Sequence, residues 1–312
     1  MYDVIIVGGG IAGLGAAIYC GRFQLKTAVV GEKVGGTIIL TDDIANYPGF
    51  KQISGMDLFD KVQEHAQDYD IEIIQKKVNN VEKCKDGCFK VKTKDKTLQT
   101  KTIIFATGTE WKKLNVPGEK EFENKGVHYC ALCDAPVYKD KVLAIVGGSD
   151  SAAKESLLLS KYGTQVYIIY RNEKIRAEPI NLKRVQENKK IQIINNTNII
   201  EIKGDKFVNS VTLDKEYNGS KELKLDAVFV AIGHTPISDL AKQIGVSIDK
   251  KGYIITNDDS ATNLNGVYAA GDITNSKFKQ AITGVAEGVK AAYNVYEYIN
   301  NELPVCGCMD DE

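Results

Sequence analysis

Cys130 and Cys133 stand together in the stretch His128-Tyr129-Cys130-Ala131-Leu132-Cys133-Asp134-Ala135-Pro136. A Cys-x-x-Cys pair at the start of a helix suits a reversible disulfide. The helix N-terminus lowers the thiolate pKa, and the spacing lets one sulfur resolve a mixed disulfide on the other. The competing chemistry is half of a zinc site, which needs a second pair. Cys306-Gly307-Cys308, or Cys84 and Cys88, would have to supply it. The company these cysteines keep favours redox chemistry.

That company is a motif present twice. Asp3-Val4-Ile5-Ile6-Val7-Gly8-Gly9-Gly10-Ile11-Ala12-Gly13 is a β-branched run ending in glycines, and Lys141 to Ala152 repeats its shape 139 residues later. Helical segments follow over 14–22 and 153–162, and then second strands, Thr27-Ala28-Val29-Val30 and Val166-Tyr167-Ile168-Ile169. Each copy is a strand–turn–helix–strand unit of about 30 residues, the context in which a glycine turn signals a dinucleotide. The first glycine permits the turn and the second lets a pyrophosphate approach. The third position must be small so that helix and strand pack, and the phosphates meet free N–H groups at the helix N-terminus. Glu32 lies 19 residues after Gly13, and Arg171 lies 19 residues after Ala152. A carboxylate there accepts from a ribose diol, whereas an arginine suits a 2′-phosphate. The first unit therefore reads as a site for FAD or NAD, and the second leans towards NADP.

The supporting elements follow the same pattern. Thr102 to Gly108 and Asp226 to Gly233 read as strands ending in glycine, each preceded by alternating β segments. Asp86-Gly87 marks a hairpin between Cys84 and Cys88. Val267 to Asp272 gives a third glycine signal. A helix is expected over 280–301, with Pro304 preventing its continuation.

Composition bounds the rest. The 312 residues suggest about two domains. Forty basic residues against forty-one acidic leave a net charge of −1, with no electrostatic pull towards nucleic acid or an anionic membrane. No apolar run nears the ~18 residues of a membrane span. The first strand starts too early for an export signal, so a cytoplasmic location is expected, and the seven cysteines do not form a disulfide framework.

With these residues in hand, the chain resembles the low-molecular-weight thioredoxin reductases, flavoproteins with two dinucleotide-binding domains. The resemblance runs from Met1 to about Asn301. It rests on Gly8 to Gly13, Gly31 to Gly36, Asn46-Tyr47-Pro48-Gly49, Ala106-Thr107-Gly108, Cys130 to Asp134, Gly147 to Ala152, Ile232 to Pro236, Gly271-Asp272 and Gln280-Ala281-Ile282. It implies an α/β fold of two Rossmann-like three-layer (ββα) nucleotide-binding domains, the second inserted in the first. The expected FAD domain is 1–113 with 239–312, and the NAD(P)H domain carrying the Cys-x-x-Cys is 114–238. Rotation between two domain states would occur at joins near 111–116 and 234–240.

The resemblance also implies residue roles. Gly8, Gly10 and Gly13 hold the FAD pyrophosphate, and Glu32 lies near its adenosine ribose. Gly35, Gly36 and Asn46 approach the flavin, Asp272 binds the ribityl chain, and Gln280, Ala281 and Ile282 lie along the ring. Ile11, Ala12, Thr37, Ala106, Thr107, Gly108 and Gly271 complete the FAD set. Gly147, Gly148, Ser149, Asp150, Ser151, Arg171 and Arg176 form the NADP set. Cys133 is the flavin-side thiol, Cys130 attacks the partner disulfide, and Asp134 matches the proton donor. The expected partners are NADPH, a thioredoxin or glutaredoxin-like protein, and a second subunit in a homodimer.

The chain departs from the family in places. The pattern His-Arg-Arg-x-x-x-Arg reads Tyr170-Arg171-Asn172-Glu173-Lys174-Ile175-Arg176, and the middle pyrophosphate glycine is Ser149. One lost bidentate phosphate contact costs about 1–3 kcal/mol. Reduced ferredoxin, used by some relatives, is the alternative donor. A nucleotide-sensing or zinc-binding interaction protein is the reading of another class. Cys306 and Cys308 read as unused tail thiols before a dithiol relay or a metal clip. Cys20, Cys84, Cys88, His65 and His234 read as structural. His128 is either a plain loop residue or one that tunes Cys130.

Overall fold

The computed structural model describes residues 1–41 and 44–301. In chain order the strands and helices are β1 (Tyr2–Val7), α1 (Ile11–Arg22), β2 (Thr27–Val30), α2 (Gly55–Gln67), β3 (Ile71–Ile74), β4 (Asn80–Lys83), β5 (Phe89–Lys92), β6 (Thr97–Phe105) and β7 (Thr109–Trp111). There follow β8 (Val127–His128), α3 (Ala131–Asp134), β9 (Val142–Val146), α4 (Asp150–Tyr162), β10 (Gln165–Ile169), α5 (Pro179–Glu187), β11 (Ile191–Ile194), β12 (Ile199–Gly204), β13 (Val208–Tyr217), β14 (Ser220–Lys224) and β15 (Ala227–Val230). The chain continues through β16 (His234–Pro236), α6 (Asp239–Gln243), β17 (Val267–Ala269) and α7 (Ala281–Asn301). It forms two compact units, Met1–Glu110 with the chain from Thr235, and Trp111–His234. Strands β7 and β16 pair with each other.

The first unit has the sheet order β3-β2-β1-β6-β5-β4, with β17 also on β6. Strands β3, β2, β1, β6 and β17 run parallel, while β4, β5 and β6 are antiparallel. Alternate side chains of one strand face opposite layers. Val4 and Ile6 pack with Ala16, Ala17 and Cys20 of α1 and with Ala291, Ala292 and Val295 of α7. Ile5 and Val7 pack on the other side with Val81, Phe89 and Val91 of the antiparallel strands. Burial on both faces is why β1 reads as an unbroken β-branched run.

The second unit repeats this plan. Its all-parallel sheet has the order β11-β10-β9-β15-β8. Leu143 and Ile145 face Ala152, Ala153 and Leu159 of α4. Ala144 and Val146 face Ile202, Val211 and Leu213 of the antiparallel β12-β13-β14 sheet. The sequence repeat is thus a repeat of layers. The Asp86-Gly87 turn closes the β4–β5 hairpin with Gly87 at φ 90°, and Cys84 N–H donates to the Cys88 carbonyl at 2.8 Å. Cys84 and Cys20 are free thiols. Cys306, Cys308 and Pro304 lie outside the described residues.

Helix α1 begins at Ile11 and α4 at Asp150, three residues before the positions expected from the helical pattern. This makes Gly10 and Ser149 the N-caps. Helix α7 then clamps α1 through small residues. A Cβ on Gly288 would lie 2.3 Å from the Ala12 carbonyl oxygen, and one on Gly284 would lie 3.3 Å from Gly271 Cα. Gly288→Ala should therefore destabilise the protein by about 1–3 kcal/mol through overpacking, although alanine is the better helix former. Urea unfolding with and without saturating FAD measures this, and the FAD-bound form should show the larger loss because the start of α1 moves.

Candidate functional site

The glycine turns show why the sequence needs these residues. Gly8 has φ 119°, and a Cβ there would meet the Ala106 carbonyl oxygen at 2.2 Å. Gly147 has φ 148°, and its Cβ would meet the Ala231 carbonyl oxygen at the same distance. A Cβ on Gly13 would lie 2.1 Å from the Gly8 oxygen, whereas one on Gly10 would find only Gly36 Cα at 3.9 Å. The first and third glycines are thus required by protein–protein contact. Gly10 instead opens onto free space at the start of α1, a cradle that a side chain would fill. This fits a pyrophosphate approaching the N–H groups of α1.

The other expected FAD residues lie at this turn or elsewhere in the first unit. Gly35 N–H donates to the Gly9 carbonyl at 2.9 Å, and Gly36 faces Gly10. Thr37 caps the next short turn, and Ile11 and Ala12 open α1. Asn46 and Gln280 are 234 residues apart in sequence, yet Asn46 Nδ2 donates to Gln280 Oε1 at 3.0 Å. Ala281 and Ile282 begin α7, and Thr107 Oγ1 donates to the Ile237 carbonyl at 2.7 Å beside Gly108. Glu32 is exposed beyond the end of β2.

Two residues that sequence reasoning missed hold the Gly271-Asp272 turn. Glu287 Oε2 accepts from Gly271 N–H at 2.8 Å. Lys279 Nζ donates to the carbonyls of Asp272 (3.0 Å) and Thr274 (2.5 Å) and lies 4.3 Å from the Tyr253 ring centroid. Burial pushes the Lys279 ammonium pKa down. The adjoining Gln280 and the charge beside Asp272 were the available signals.

In the second unit the turn has the same backbone. Ser149 has φ −86° and ψ 177°, against −80° and 179° at Gly10. Serine is therefore unstrained there. Arg176 takes the place that Gly35 holds in the first unit: its N–H donates to the Gly148 carbonyl at 2.6 Å, and it bridges to Ser149. Arg171 is exposed beyond the end of β10. Asp150 Oδ1 accepts from Glu178 N–H (2.8 Å) and Asn181 Nδ2 (2.9 Å), tying α5 to the turn, and Ser151 is exposed. Asn172 Nδ2 donates to the Tyr170 hydroxyl at 2.9 Å, and the Tyr170 ring lies against Gly148.

Cys130 and Cys133 form a disulfide with Cα atoms 5.4 Å apart. The helix expected to bias their charge is only the single turn Ala131–Asp134, followed by a 3-10 turn, because Pro136 interrupts the backbone ladder. A long dipole is therefore absent. The local donor is Cys133 N–H, which points at Cys130 Sγ at 3.1 Å. Behind the pair, buried His128 places Nδ1 3.2 Å from Asp134 Oδ2 and Nε2 2.7 Å from the Tyr138 hydroxyl. Tyr129 donates to Glu119, which also accepts the N–H groups of Leu114 and Asn115. Burial and Glu119 push the Tyr129 pKa up.

A family model described as pyridine nucleotide-disulphide oxidoreductase matches residues 2–288. The chain belongs to this family. The thioredoxin reductase of Bacillus subtilis (strain 168) is 38% identical over 303 residues, covering 96% of this chain and 95% of that protein. The crystal structure of Lactococcus lactis thioredoxin reductase matches with a TM-score of 0.92 at 36% identity, and that of the T. acidophilum enzyme with 0.90 at 35%. Each match covers 96% of this chain and 99% of the other. Within this family the chain is a disulfide oxidoreductase, and thioredoxin reductases of the family use FAD and NADPH. No helix among the described residues is long and apolar enough to cross a membrane.

One buried acid in the second unit is unused by this geometry. Glu155 of α4 has a sealed Oε2 without a hydrogen-bond partner, and burial pushes its carboxyl up to about 8. The folded value lies above the ordinary 4.5, so the native state binds more protons than the unfolded chain between these values. Stability should fall as pH rises from about 4.5 towards 8 and level off above. Glu155→Gln should flatten this slope, as read from urea midpoints across that range.

Proposed function

We propose that this protein is an FAD-dependent thioredoxin-disulfide reductase that passes electrons from NADPH through FAD to the Cys130–Cys133 disulfide and on to thioredoxin. The observation that carries this reading is the Cys130–Cys133 disulfide with Cys133 N–H aimed at Cys130 Sγ. The Gly8–Gly13 turn with Asn46, Asp272 and Gln280 would hold FAD, which would supply two-electron transfer between nicotinamide and disulfide. The fit at Gly10, which leaves the cradle open, supports that assignment. NADPH is assigned to the Gly147–Ser151 turn, with Arg171 and Arg176 as the cations for its 2′-phosphate. The reading includes a homodimer in the cytoplasm, domains divided at 113/114 and 238/239, and rotation between them.

The chain's own residues perform the thiol steps. Two electrons break the Cys130–Cys133 bond, leaving one thiol and one thiolate with the uptake of one proton. The Cys133 N–H stabilises negative charge on Cys130 Sγ, favouring it as the attacking thiolate. Cys130 attacks the partner disulfide, forming a mixed disulfide and releasing one partner thiolate, which takes a proton from Asp134. Cys133 then attacks Cys130 Sγ, restoring the internal disulfide and releasing the second partner thiol.

Two experiments test the reading. Cys130→Ser leaves Cys133 as the thiol on the flavin side, so the FAD-loaded variant should gain a long-wavelength thiolate–flavin absorption band, and Cys133→Ser should not. Equal spectra would overturn the assigned roles. In anaerobic titrations NADPH should bleach the flavin more readily than NADH. Ser149→Gly combined with Asn172→Arg should tighten NADPH about tenfold or more by restoring one bidentate contact. Bleaching by reduced ferredoxin alone would replace the nicotinamide donor.

A further inference from the structure

His128 is a buried imidazole two residues before Cys130, and its Nδ1 is sealed from water. It lies on β8 with its ring stacked on Phe229 of β15 at 5.4 Å between centroids. Its Nε2 is 2.7 Å from the Tyr138 hydroxyl, and its buried Nδ1 has Asp134 Oδ2 at 3.2 Å as its ion-pair neighbour. That second approach does not make a well-aligned hydrogen bond in the oxidised centre. Asp134 keeps a partly accessible side chain, about 34% exposed, so it is the member of the chain open to the outside. The three polar groups thus form a line from a half-buried phenol, through a sealed imidazole, to a carboxyl beside the redox pair.

We propose that Tyr138, His128 and Asp134 form a proton relay behind the redox disulfide, with His128 as the positioning residue that lets Asp134 deliver protons near neutral pH. This rests on the disulfide-reductase reading above. The proton balance is specific. When Asp134 gives its proton to the leaving thiolate of the partner, the carboxylate is left facing His128 Nδ1. With the Tyr138 hydroxyl donating to Nε2, the imidazole carries its proton on Nδ1 and donates to that carboxylate. The next proton taken up from solvent is then shared by the pair, either as carboxyl against neutral imidazole or as carboxylate against imidazolium. No charge is created or lost beyond the one proton that the reduction of a disulfide by a thiol–thiolate pair consumes.

The surroundings favour this arrangement. Burial lowers the His128 pKa, opposed by Asp134. Burial raises the Tyr138 pKa, helped by Asp134 and Asp226, which keeps the phenol a donor. Asp226, just before β15, is itself paired with Lys141 at 3.3 Å. Phe229 adds no charge. A lone exposed aspartate would be deprotonated near pH 7, which is the reason a second group is needed.

The test uses the FAD-loaded protein and two readouts. The chain has three histidines, so selective ring labelling gives three NMR signals to follow. The His128 titration midpoint should move when Cys130–Cys133 is reduced with excess dithiol, and again in Asp134→Asn. A midpoint unmoved by both changes overturns the relay, whatever the electron donor or partner proves to be. In turnover, His128→Asn should lose partner-disulfide reduction in a pH-dependent way, the loss being about tenfold greater near pH 7 than near pH 5.5, because the limb set by the delivered proton moves to lower pH. A uniform loss across pH marks a merely structural residue and overturns the proposal. Tyr138→Phe keeps the ring packing and should shift the limb in the same direction; an unshifted limb in that variant also overturns it. Failure of the wild-type protein to reduce any partner disulfide would instead count against the disulfide-reductase reading, since the NMR readout stands without it.

Discussion

The construction depends on backbone approaching backbone. At Gly8 and Gly147 the chain passes so close to the carbonyl of a neighbouring strand that no side chain fits, the ideal Cβ lying 2.2 Å from oxygen in both. At Gly13 the contact is between the helix and its own turn. These contacts bring the start of each helix to the C-terminal end of a central strand, where its unpaired N–H groups can meet an anion. The remaining layers secure that approach. Helix α7 presses glycines onto α1, and the antiparallel strands fill the other sheet face with Phe89, Val81 and Val91.

The same backbone serves two ends. Gly10 and Ser149 share their dihedrals, so the turn is the same although the side chains differ. In the first unit Gly35 lies beside the turn, and in the second Arg176 does. This places a cationic residue's backbone directly at the second cradle. Tyr170, held by Asn172, covers Gly148 from the strand side. The two turns therefore differ in a few side chains on one frame.

At the redox centre, short-range bonding takes the place of a long helix dipole. Pro136 restricts α3 to one turn, so Cys133 N–H, and not a long helix, is the donor aimed at Cys130 Sγ. Residues with no direct part in thiol exchange hold this geometry. Glu119 gathers the Leu114 and Asn115 N–H groups and the Tyr129 hydroxyl, fixing the chain just before Cys130. His128 fixes the chain on the other side of Tyr129 by stacking on Phe229.

The sequence by itself determined the features that repeat locally. Glycines at fixed offsets after β-branched runs identified both turns, because only a residue without Cβ tolerates those contacts. The Cys-x-x-Cys spacing identified the disulfide, because two intervening residues leave the sulfurs within bonding reach. The Asp86-Gly87 turn was legible for the same local reason. Tertiary structure decided what depends on distant chain segments. Asn46 meets Gln280 across 234 residues, Glu287 pins Gly271, and Asp150 ties down α5. From sequence His128 is equally a loop residue or one that tunes Cys130, and only the fold brings Phe229 of β15 beneath it and Tyr138 to its Nε2. Such partners are invisible in one sequence because hydrogen bonding between remote side chains leaves no periodicity, and only the packed layers set their distances.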